Sequence, residues 1–232
     1  MITAQDVELR VGVRVLISGS TFRVGPGDRI GLVGRNGAGK TTLTKALAGE
    51  GQVTSGRIVR SGEIGYLPQD PRTGDLEMLS LDRILAARGL DDLLRRMRET
   101  EGAMASADDE TRDAAMERYP RLEERFTAAG GYAAESEAAR ICANLGLDDR
   151  ILTQPLGTLS GGQRRRVELA RILFSGADTL LLDEPTNHLD ADSIAWLRDF
   201  LATYPGGLLV ISHDVDLVRT VVNKVFHLDA NR

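Results

Sequence analysis

The chain has 232 residues, 42% of them hydrophobic, which suits one sizeable α/β core or two small lobes and excludes a miniprotein held together by disulfides. A formal net charge of −5 and a pI near 5.3 exclude a global basic surface for nucleic acid, so such a contact would need a local patch. The sequence has no basic start followed by an apolar segment and no long apolar run, so we expect a cytoplasmic protein without direct membrane insertion.

Short β-like runs, broken by glycine and by Pro26-Gly27-Asp28, occupy the N-terminal part of the chain and predict antiparallel strands that lead into a buried strand. The runs cover residues 7–11, 13–17, 22–24 and 29–33. A glycine-rich stretch follows at 34–39, and residues 41–48 have apolar side chains at helical spacing. The predicted order is therefore strand, glycine loop, helix. Another extended run, 63–67, ends at Pro68-Gln69.

Beyond Gln69 the apolar period changes from two to about 3.6, which predicts a helical region. Two amphipathic segments, 81–104 and 116–126, lie on either side of a turn at 106–109 and predict a helical hairpin at about 76–131. Their polar faces contain charges of both signs, which is typical of a solvated surface, so an ordinary helical subdomain is the alternative. The single cysteine, Cys142, lies among apolar residues at helical spacing, which favours a buried structural thiol.

From Thr158 the pattern alternates between helix and strand. The predicted elements are a helix at 164–173, a strand at 179–182, a helix at 194–201 and strands at 208–212 and 225–228. Strands that alternate with helices predict a parallel sheet. We predict a single α/β domain whose core, 1–70 and 156–232, is interrupted by a helical subdomain at 71–155.

The glycine-rich stretch matches the phosphate-binding pattern of glycine, four residues, Gly-Lys-Thr. Such a loop points backbone amides at phosphate oxygens, and the helix N-terminus adds positive potential. Lys40 is predicted to reach the β- and γ-phosphates, and the Thr41 hydroxyl to bind Mg²⁺. The alternative, a glycine-rich turn with an incidental lysine, does not explain the flanking strand and helix. The predicted nucleotide-binding residues here are Gly34, Arg35, Asn36, Gly37, Ala38, Gly39, Lys40, Thr41 and Thr42.

The apolar strand at 179–182 ends in two adjacent carboxylates, Asp183 and Glu184. Two acids at the end of a buried strand are costly unless a cation faces them. Mg²⁺ brought by the phosphates would suit Asp183, and Glu184 is placed to polarise an attacking water. A helix N-cap followed by Pro185 would explain one of the acids but not the pair.

A second candidate anion site lies at Leu159-Ser160-Gly161-Gly162-Gln163. A serine hydroxyl and glycine amides at the start of a helix can hold a phosphate as the first loop does. Because a nucleotide has one γ-phosphate, we expect this second site to serve ATP held by a partner module. A capped helix behind a flexible loop is the alternative.

Two further candidates follow predicted strands. His213 comes after the strand at 208–212, at the end of a sheet where α/β proteins place their ligands, and could contact the γ-phosphate. Ser212 and Asp214 do not make it a hydrolase triad, since neighbours in sequence cannot point at one another as required. Gln69 leaves the strand at 63–67 and could reach Mg²⁺. On spacing alone the two would be a structural histidine and a surface glutamine.

In this order the residues resemble the ATP-binding cassette superfamily. The motifs are Walker A at 34–41, the Q-loop at Gln69, the signature at 159–163, Walker B at 180–183 with Glu184, the D-loop at about 187–190 and the switch histidine His213. The resemblance spans nearly the whole chain. It implies a P-loop NTPase fold, with a RecA-like core, an antiparallel β subdomain and a helical subdomain, and with ATP and Mg²⁺ as ligands. It implies catalysis by Glu184 and His213, and metal binding by Thr41, Gln69 and Asp183.

Pro185–Asp190, and Gly130-Gly131-Tyr132 with Glu135 and Glu137, resemble the ABC-F subfamily. Its members look like two fused cassettes without membrane domains, act as translation factors at the ribosomal tRNA exit site, and include ribosome-protecting resistance proteins. Their hairpin between Q-loop and signature, the arm, contacts the ribosome. The resemblance implies an ATPase that is slow as an isolated module and active when paired with a second cassette, with ribosome and tRNA as partners. Because the chain ends at Arg232, where a tandem protein would continue, we expect a first cassette or a half-protein that dimerises.

Three other interpretations stay open. A transporter motor subunit would need a groove for a membrane partner, a non-catalytic ribosome-binding module would use ATP only as a conformational latch, and a DNA-repair ATPase would need a longer coiled-coil insertion. Base recognition is open as well. The family often stacks adenine on an aromatic residue upstream of Walker A, where this chain has Val11 and so only apolar packing.

Overall fold

The computed structural model describes residues 1–69 and 75–228. The chain divides between residues 72 and 73, and again between 175 and 176, into two compact units. We call the outer parts together the sheet unit and the middle part the helical unit. None of the helices in the described ranges is long and apolar enough to span a membrane.

The strands all lie in the sheet unit, whereas most of the helices lie in the helical unit. The strands are β1 (Ile2–Val11), β2 (Arg14–Val24), β3 (Arg29–Gly34), β4 (Ser55–Arg60), β5 (Ile64–Leu67), β6 (Thr179–Asp183), β7 (Gly207–Ile211) and β8 (Lys224–Leu228). The helices are α1 (Lys40–Ala48), α2 (Ser80–Leu85), α3 (Asp91–Met104), α4 (Asp109–Ala128), α5 (Gly131–Asn144), α6 (Asp149–Leu152), α7 (Gly161–Phe174), α8 (Ala191–Thr203) and α9 (Val215–Val221).

A three-stranded antiparallel sheet of order β2-β1-β4 opens the sheet unit. The sequence pattern predicted two short strands, 13–17 and 22–24, where β2 runs unbroken. The pairing of β2 with β1 shifts register close to Gly19, whose φ of +59° suits glycine. Because the pairing resumes on the other side of this shift, β2 is one strand. β4 was not predicted because most of its side chains are exposed and show no apolar alternation.

A five-stranded parallel sheet of order β5-β6-β7-β3-β8 forms the centre of the sheet unit, as the alternating pattern predicted. Every residue of β6 and β7 is buried, which explains their continuous apolar sequences. Parallel strands end at the same edge of a sheet. The loop after β3, the carboxylates at the end of β6 and the residues after β7 therefore meet there.

The helices α3 and α4 of the helical unit pack together and are joined by residues 105–108, within the range 76–131 for which a helical hairpin was predicted. Asp108 caps α4 by accepting a hydrogen bond from the Thr111 amide at 2.9 Å. The first amphipathic segment was expected to be continuous, but it is two helices. A 3₁₀ turn at Ala86–Arg88 and Gly89, whose φ is +69°, separate α2 from α3.

The helix α7 packs within the helical unit, although residues 156–175 were predicted to belong to the ATP-binding core. It contacts α2 and α5. Its Glu168, whose side chain is only 3% exposed, pairs with Arg83 of α2 at 2.6 Å and with Arg171 at 3.0 Å. A buried carboxylate needs such partners, and no sequence pattern shows which arginines will supply them.

The single cysteine, Cys142 on α5, is 1% exposed, as predicted for a structural thiol. Burial, and to a lesser degree the charge of Asp149, raises the pKa of this thiol to about 12. We therefore expect a thiol reagent at pH 8 to leave the folded protein unlabelled and to label one site per chain in guanidinium chloride. Measured labelling at the rate of a free thiol without denaturant would contradict this packing of α5.

Candidate functional site

The glycine-rich loop joins β3 to α1, and two of its glycines lie where a side chain would clash. A Cβ on Gly34 would lie 2.5 Å from the Leu228 carbonyl oxygen, and one on Gly39 would lie 2.8 Å from Cδ1 of Leu16. Gly39 directly precedes α1 and has a φ of +102°. The local geometry therefore requires glycine at both positions.

The ammonium group of Lys40, the first residue of α1, is hydrogen-bonded to carbonyl groups at the start of this loop. Its Nζ donates hydrogen bonds to the carbonyl oxygens of Gly34 at 2.8 Å and Arg35 at 3.2 Å. The side chain also lines a cavity of about 610 Å³ in the sheet unit. A positive charge is thus held beside the amides at the start of a helix, an arrangement that favours phosphate.

The Thr41 hydroxyl meets the carboxylate at the end of β6. Thr41 Oγ1 donates a hydrogen bond to Oδ2 of Asp183 at 2.6 Å, and Asp183 is 2% exposed. Within the described ranges no three His, Cys, Asp or Glu side chains form a metal cluster. A hydroxyl and one carboxylate nevertheless fit Mg²⁺, which commonly takes one or two protein oxygens together with phosphate and water.

A buried phenol, Tyr66 on β5, lies near the same carboxylate and was not singled out from sequence. Burial, and after it the charges of Asp183 and Glu50, raises the pKa of Tyr66, so the phenol stays neutral. Its hydroxyl is buried and has no hydrogen-bond partner among the residues that the structure describes. Nothing in the sequence indicates that a buried tyrosine one residue before the end of a strand lies near this carboxylate.

The second carboxylate, Glu184, is held in a backbone conformation that is unusual for glutamate. Its φ is +51° and it precedes Pro185. Its amide donates to the Ile211 carbonyl oxygen at 2.8 Å, which ties it to the end of β7. Such local strain is typical of functional sites, where the surrounding structure holds a side chain in one direction.

Glu184 contacts His213 across the sheet edge. The His213 Nε2 lies 3.3 Å from Oε1 of Glu184, and the His213 amide donates to Oε2 at 3.3 Å. The carboxylate is almost buried, whereas the imidazole is 75% exposed. His213 can thus hold the carboxylate on one side and remain accessible to a ligand on the other.

The cavity brings together most of the predicted residues of the sheet unit. Those lining it are Asn36, Gly37, Gly39, Lys40, Thr41, Thr42, Gln69, Asp183, Glu184 and His213. Of the described loop residues, Gly34, Arg35 and Ala38 are not part of its lining. Arg14 and Leu16 also line the cavity and were missed, because nothing in the sequence links the first hairpin to the phosphate loop.

The second candidate anion site opens α7 in the helical unit. Ser160 Oγ accepts a hydrogen bond from the Gln163 amide at 3.2 Å, and Gln163 Oε1 accepts one from the Ser160 amide at 2.9 Å. This reciprocal cap leaves Ser160 and Gly161 exposed. The first amides of a helix have no partner within it, and the serine hydroxyl still has a proton to donate. The predicted site is therefore accessible to a ligand from outside.

Residues 17–187 match the model of the family described as ABC transporter. Over 98% of its length the chain is 38% identical to ATP-binding cassette sub-family F member 3 of Homo sapiens and 36% identical to tylosin resistance ATP-binding protein TlrC of Streptomyces fradiae. Over 99% it is 34% identical to probable ATP-binding protein YheS of Escherichia coli K12. It spans 31%, 42% and 34% of these relatives, respectively. These relatives support the ABC-F subfamily.

Solved structures agree on the fold. An ATP-binding subunit of an ABC transporter superposes with a TM-score of 0.73 at 18% identity, covering 100% of this chain and 87% of the other. The ATP-binding cassette MJ0796, a dimer in a post-hydrolysis state bound to ADP and Pi, superposes with a TM-score of 0.64 at 18% identity, covering 99% and 95%. At this identity the likeness shows a shared α/β cassette fold.

Proposed function

Because the chain belongs to the ABC transporter family of ATP-binding cassettes, we propose that it is the first cassette of an ABC-F protein that acts on the ribosome. The family makes it an ATPase, which converts ATP and water to ADP and phosphate. We further propose which residues hydrolyse ATP, that they need a second cassette, and which surface of the chain binds the ribosome.

The phosphate chain of ATP binds along the loop after β3. Lys40 and the loop amides face the β- and γ-phosphates, while Thr41, Asp183 and Gln69 hold Mg²⁺. When bound, Mg²⁺ neutralises charge on the phosphates. Water attacks the γ-phosphorus as the bond to the ADP oxygen breaks, and Glu184 orients the water and accepts its proton. His213 keeps the Glu184 carboxylate in place and donates a hydrogen bond to the γ-phosphate.

A second cassette completes the site. The exposed start of α7, with Ser160, Gly161, Gly162 and Gln163, caps the γ-phosphate of ATP held by the partner cassette, and the partner's equivalent residues serve this chain. The chain spans about a third of several of its relatives' length, which leaves room in them for such a partner. Alone, the chain binds MgATP and hydrolyses it slowly.

The ribosome proposal rests on an arginine stripe on α4 as well as on the family resemblance. Arg118, Arg121 and Arg125 are exposed and lie three and four residues apart, so they share one face of the helix. None of the three forms an ion pair with another side chain in the described ranges. Most other arginines of the hairpin are paired, for example Arg95 with Asp92 and Glu99. Three unpaired guanidinium groups spread over about 10 Å of helix fit the phosphates of a folded RNA.

Co-sedimentation with purified ribosomes tests this proposal. We expect the chain to pellet with ribosomes in MgATP and to be released in MgADP. The double variant R118A/R125A should bind at least tenfold more weakly and show a shallower dependence on salt, because two phosphate contacts are lost. The matched control E117A/E124A removes two exposed acids at the same spacing on α4 and should bind as the original chain does.

The outcomes separate the alternatives. If the chain binds MgATP but never pellets with ribosomes, the ribosome proposal fails and a transporter motor subunit gains support. Equal pelleting in ATP, in ADP and without nucleotide would instead favour a passive ribosome-binding module. Equal losses of ribosome affinity in R118A/R125A and E117A/E124A would contradict the role proposed for the arginine stripe.

A further inference from the structure

Tyr66 on β5 has a buried hydroxyl group that finds no hydrogen-bond partner in residues 1–69 and 75–228. The side chain as a whole is 9% exposed. A buried polar group without a partner costs free energy, so native proteins keep few of them, and those that persist are often found where a ligand or ion binds. The surroundings of this hydroxyl therefore indicate what it can bind.

The strand register places Tyr66 on the same face of the parallel sheet as Asp183. Tyr66 is paired with Leu181 on β6, and Asp183 lies two residues further along β6. Paired residues, and residues two apart on a strand, share one face of a sheet. Tyr66 and Asp183 are thus diagonal neighbours on adjacent strands, a separation that an aromatic side chain can span.

The helix α1 covers this face of the sheet. Tyr66, Leu181 and the α1 residue Leu47 belong to one buried hydrophobic cluster. At the start of α1, the Thr41 hydroxyl donates to Oδ2 of Asp183 at 2.6 Å. The phenol and the two proposed metal ligands, Thr41 and Asp183, therefore lie in one layer between the sheet and the helix. Charges are screened weakly in such a layer.

The charge of Asp183 acts on the Tyr66 hydroxyl. After burial, it contributes most to the raised pKa of this phenol, and Glu50 contributes less. Glu50 is exposed to solvent beyond the end of α1, whereas Asp183 is 2% exposed. Because its pKa is raised, the phenol keeps its proton at neutral pH and can donate a hydrogen bond to a carboxylate.

We propose that Tyr66 is a positioning residue of the metal site, whose hydroxyl donates a hydrogen bond to the Asp183 carboxylate, directly or through one water, when MgATP is bound. The proposal rests on the function proposed above. A carboxylate that binds a metal ion is oriented by the donors around it, and losing one such donor commonly lowers metal affinity about 10- to 100-fold. Because the hydroxyl is unpaired in the chain without metal, its bond stabilises only the metal-bound state.

Titration calorimetry with the slowly hydrolysed analogue ATPγS, in Mg²⁺ and in EDTA, tests the proposal. The ratio of the two dissociation constants measures how much the metal strengthens nucleotide binding. The variant Y66F removes only the hydroxyl. We expect it to bind ATPγS in EDTA within about twofold of the original chain and in Mg²⁺ about tenfold more weakly. Its Tm without nucleotide should be equal or higher, because no hydrogen bond is lost.

The matched control is Y204F, which removes another buried tyrosine hydroxyl of the sheet unit. The Tyr204 hydroxyl donates to the Ala177 carbonyl oxygen, so Y204F should lower Tm and leave the ratio unchanged. A double-mutant cycle with D183N tests whether Tyr66 acts through Asp183. In the D183N background, Y66F should weaken binding of ATPγS in Mg²⁺ no further.

Three results would overturn the inference: an unchanged ratio in Y66F, equal losses in Mg²⁺ and in EDTA, or an undiminished effect of Y66F in the D183N background. None of them affects the proposed nucleotide site. An original chain that binds ATPγS neither in Mg²⁺ nor in EDTA would instead contradict the proposed function, and the inference with it.

Discussion

Replacing Glu184 by glutamine is expected to lower ATP turnover by about 10²- to 10³-fold while leaving MgATP binding within about twofold. Glutamine keeps the shape of the side chain and its contact with the His213 amide, which lies 3.3 Å from Oε2. It cannot accept a proton from the attacking water. The paired cassettes should therefore stay closed around unhydrolysed ATP.

Phosphate release and size-exclusion chromatography measure this effect. Turnover is followed at protein concentrations high enough for two cassettes to pair, and the E184Q protein in MgATP should elute as a dimer. The matched control is E63Q, which changes an exposed glutamate next to β5 outside the cavity lining. Turnover of E184Q equal to that of E63Q would show that Glu184 is not the base.

Replacing Lys40 by alanine is expected to weaken MgATP binding by about 100-fold. A charge-assisted hydrogen bond contributes about 1.5–3 kcal/mol, and the ammonium also organises the loop through Gly34 and Arg35. The free energy of unfolding without nucleotide should change little, because Lys40 and its partner Gly34 are only partly buried and its other partner, Arg35, is exposed.

Calorimetry and thermal melting separate binding from folding in this variant. With saturating MgATP the original chain should gain several degrees in Tm, and K40A should gain almost none. The control K45A changes the exposed lysine in the last turn of the same helix and should behave as the original chain. A K40A protein that melts early without nucleotide would point to folding rather than phosphate binding.

The sequence motifs identified residues whose geometry depends mainly on their neighbours in the sequence. The phosphate loop is a run of neighbouring residues between one strand and one helix, and its glycines are required by short-range sterics. The cap at Ser160 and Gln163 is likewise formed over three residues. The parallel sheet was also predictable, because buried strands need continuous apolar runs. The catalytic and metal-binding roles of the site residues stay predictions.

The sequence by itself thus determined the cassette family, the α/β fold and the chemical groups of the nucleotide site. Only the tertiary structure decided that Glu184 contacts His213, that α7 packs within the helical unit, and that Arg14 lines the cavity. These facts depend on strand register and on packing between segments far apart in the chain. Register is set by the sum of many weak pairings across strands, so no single residue or spacing reveals it.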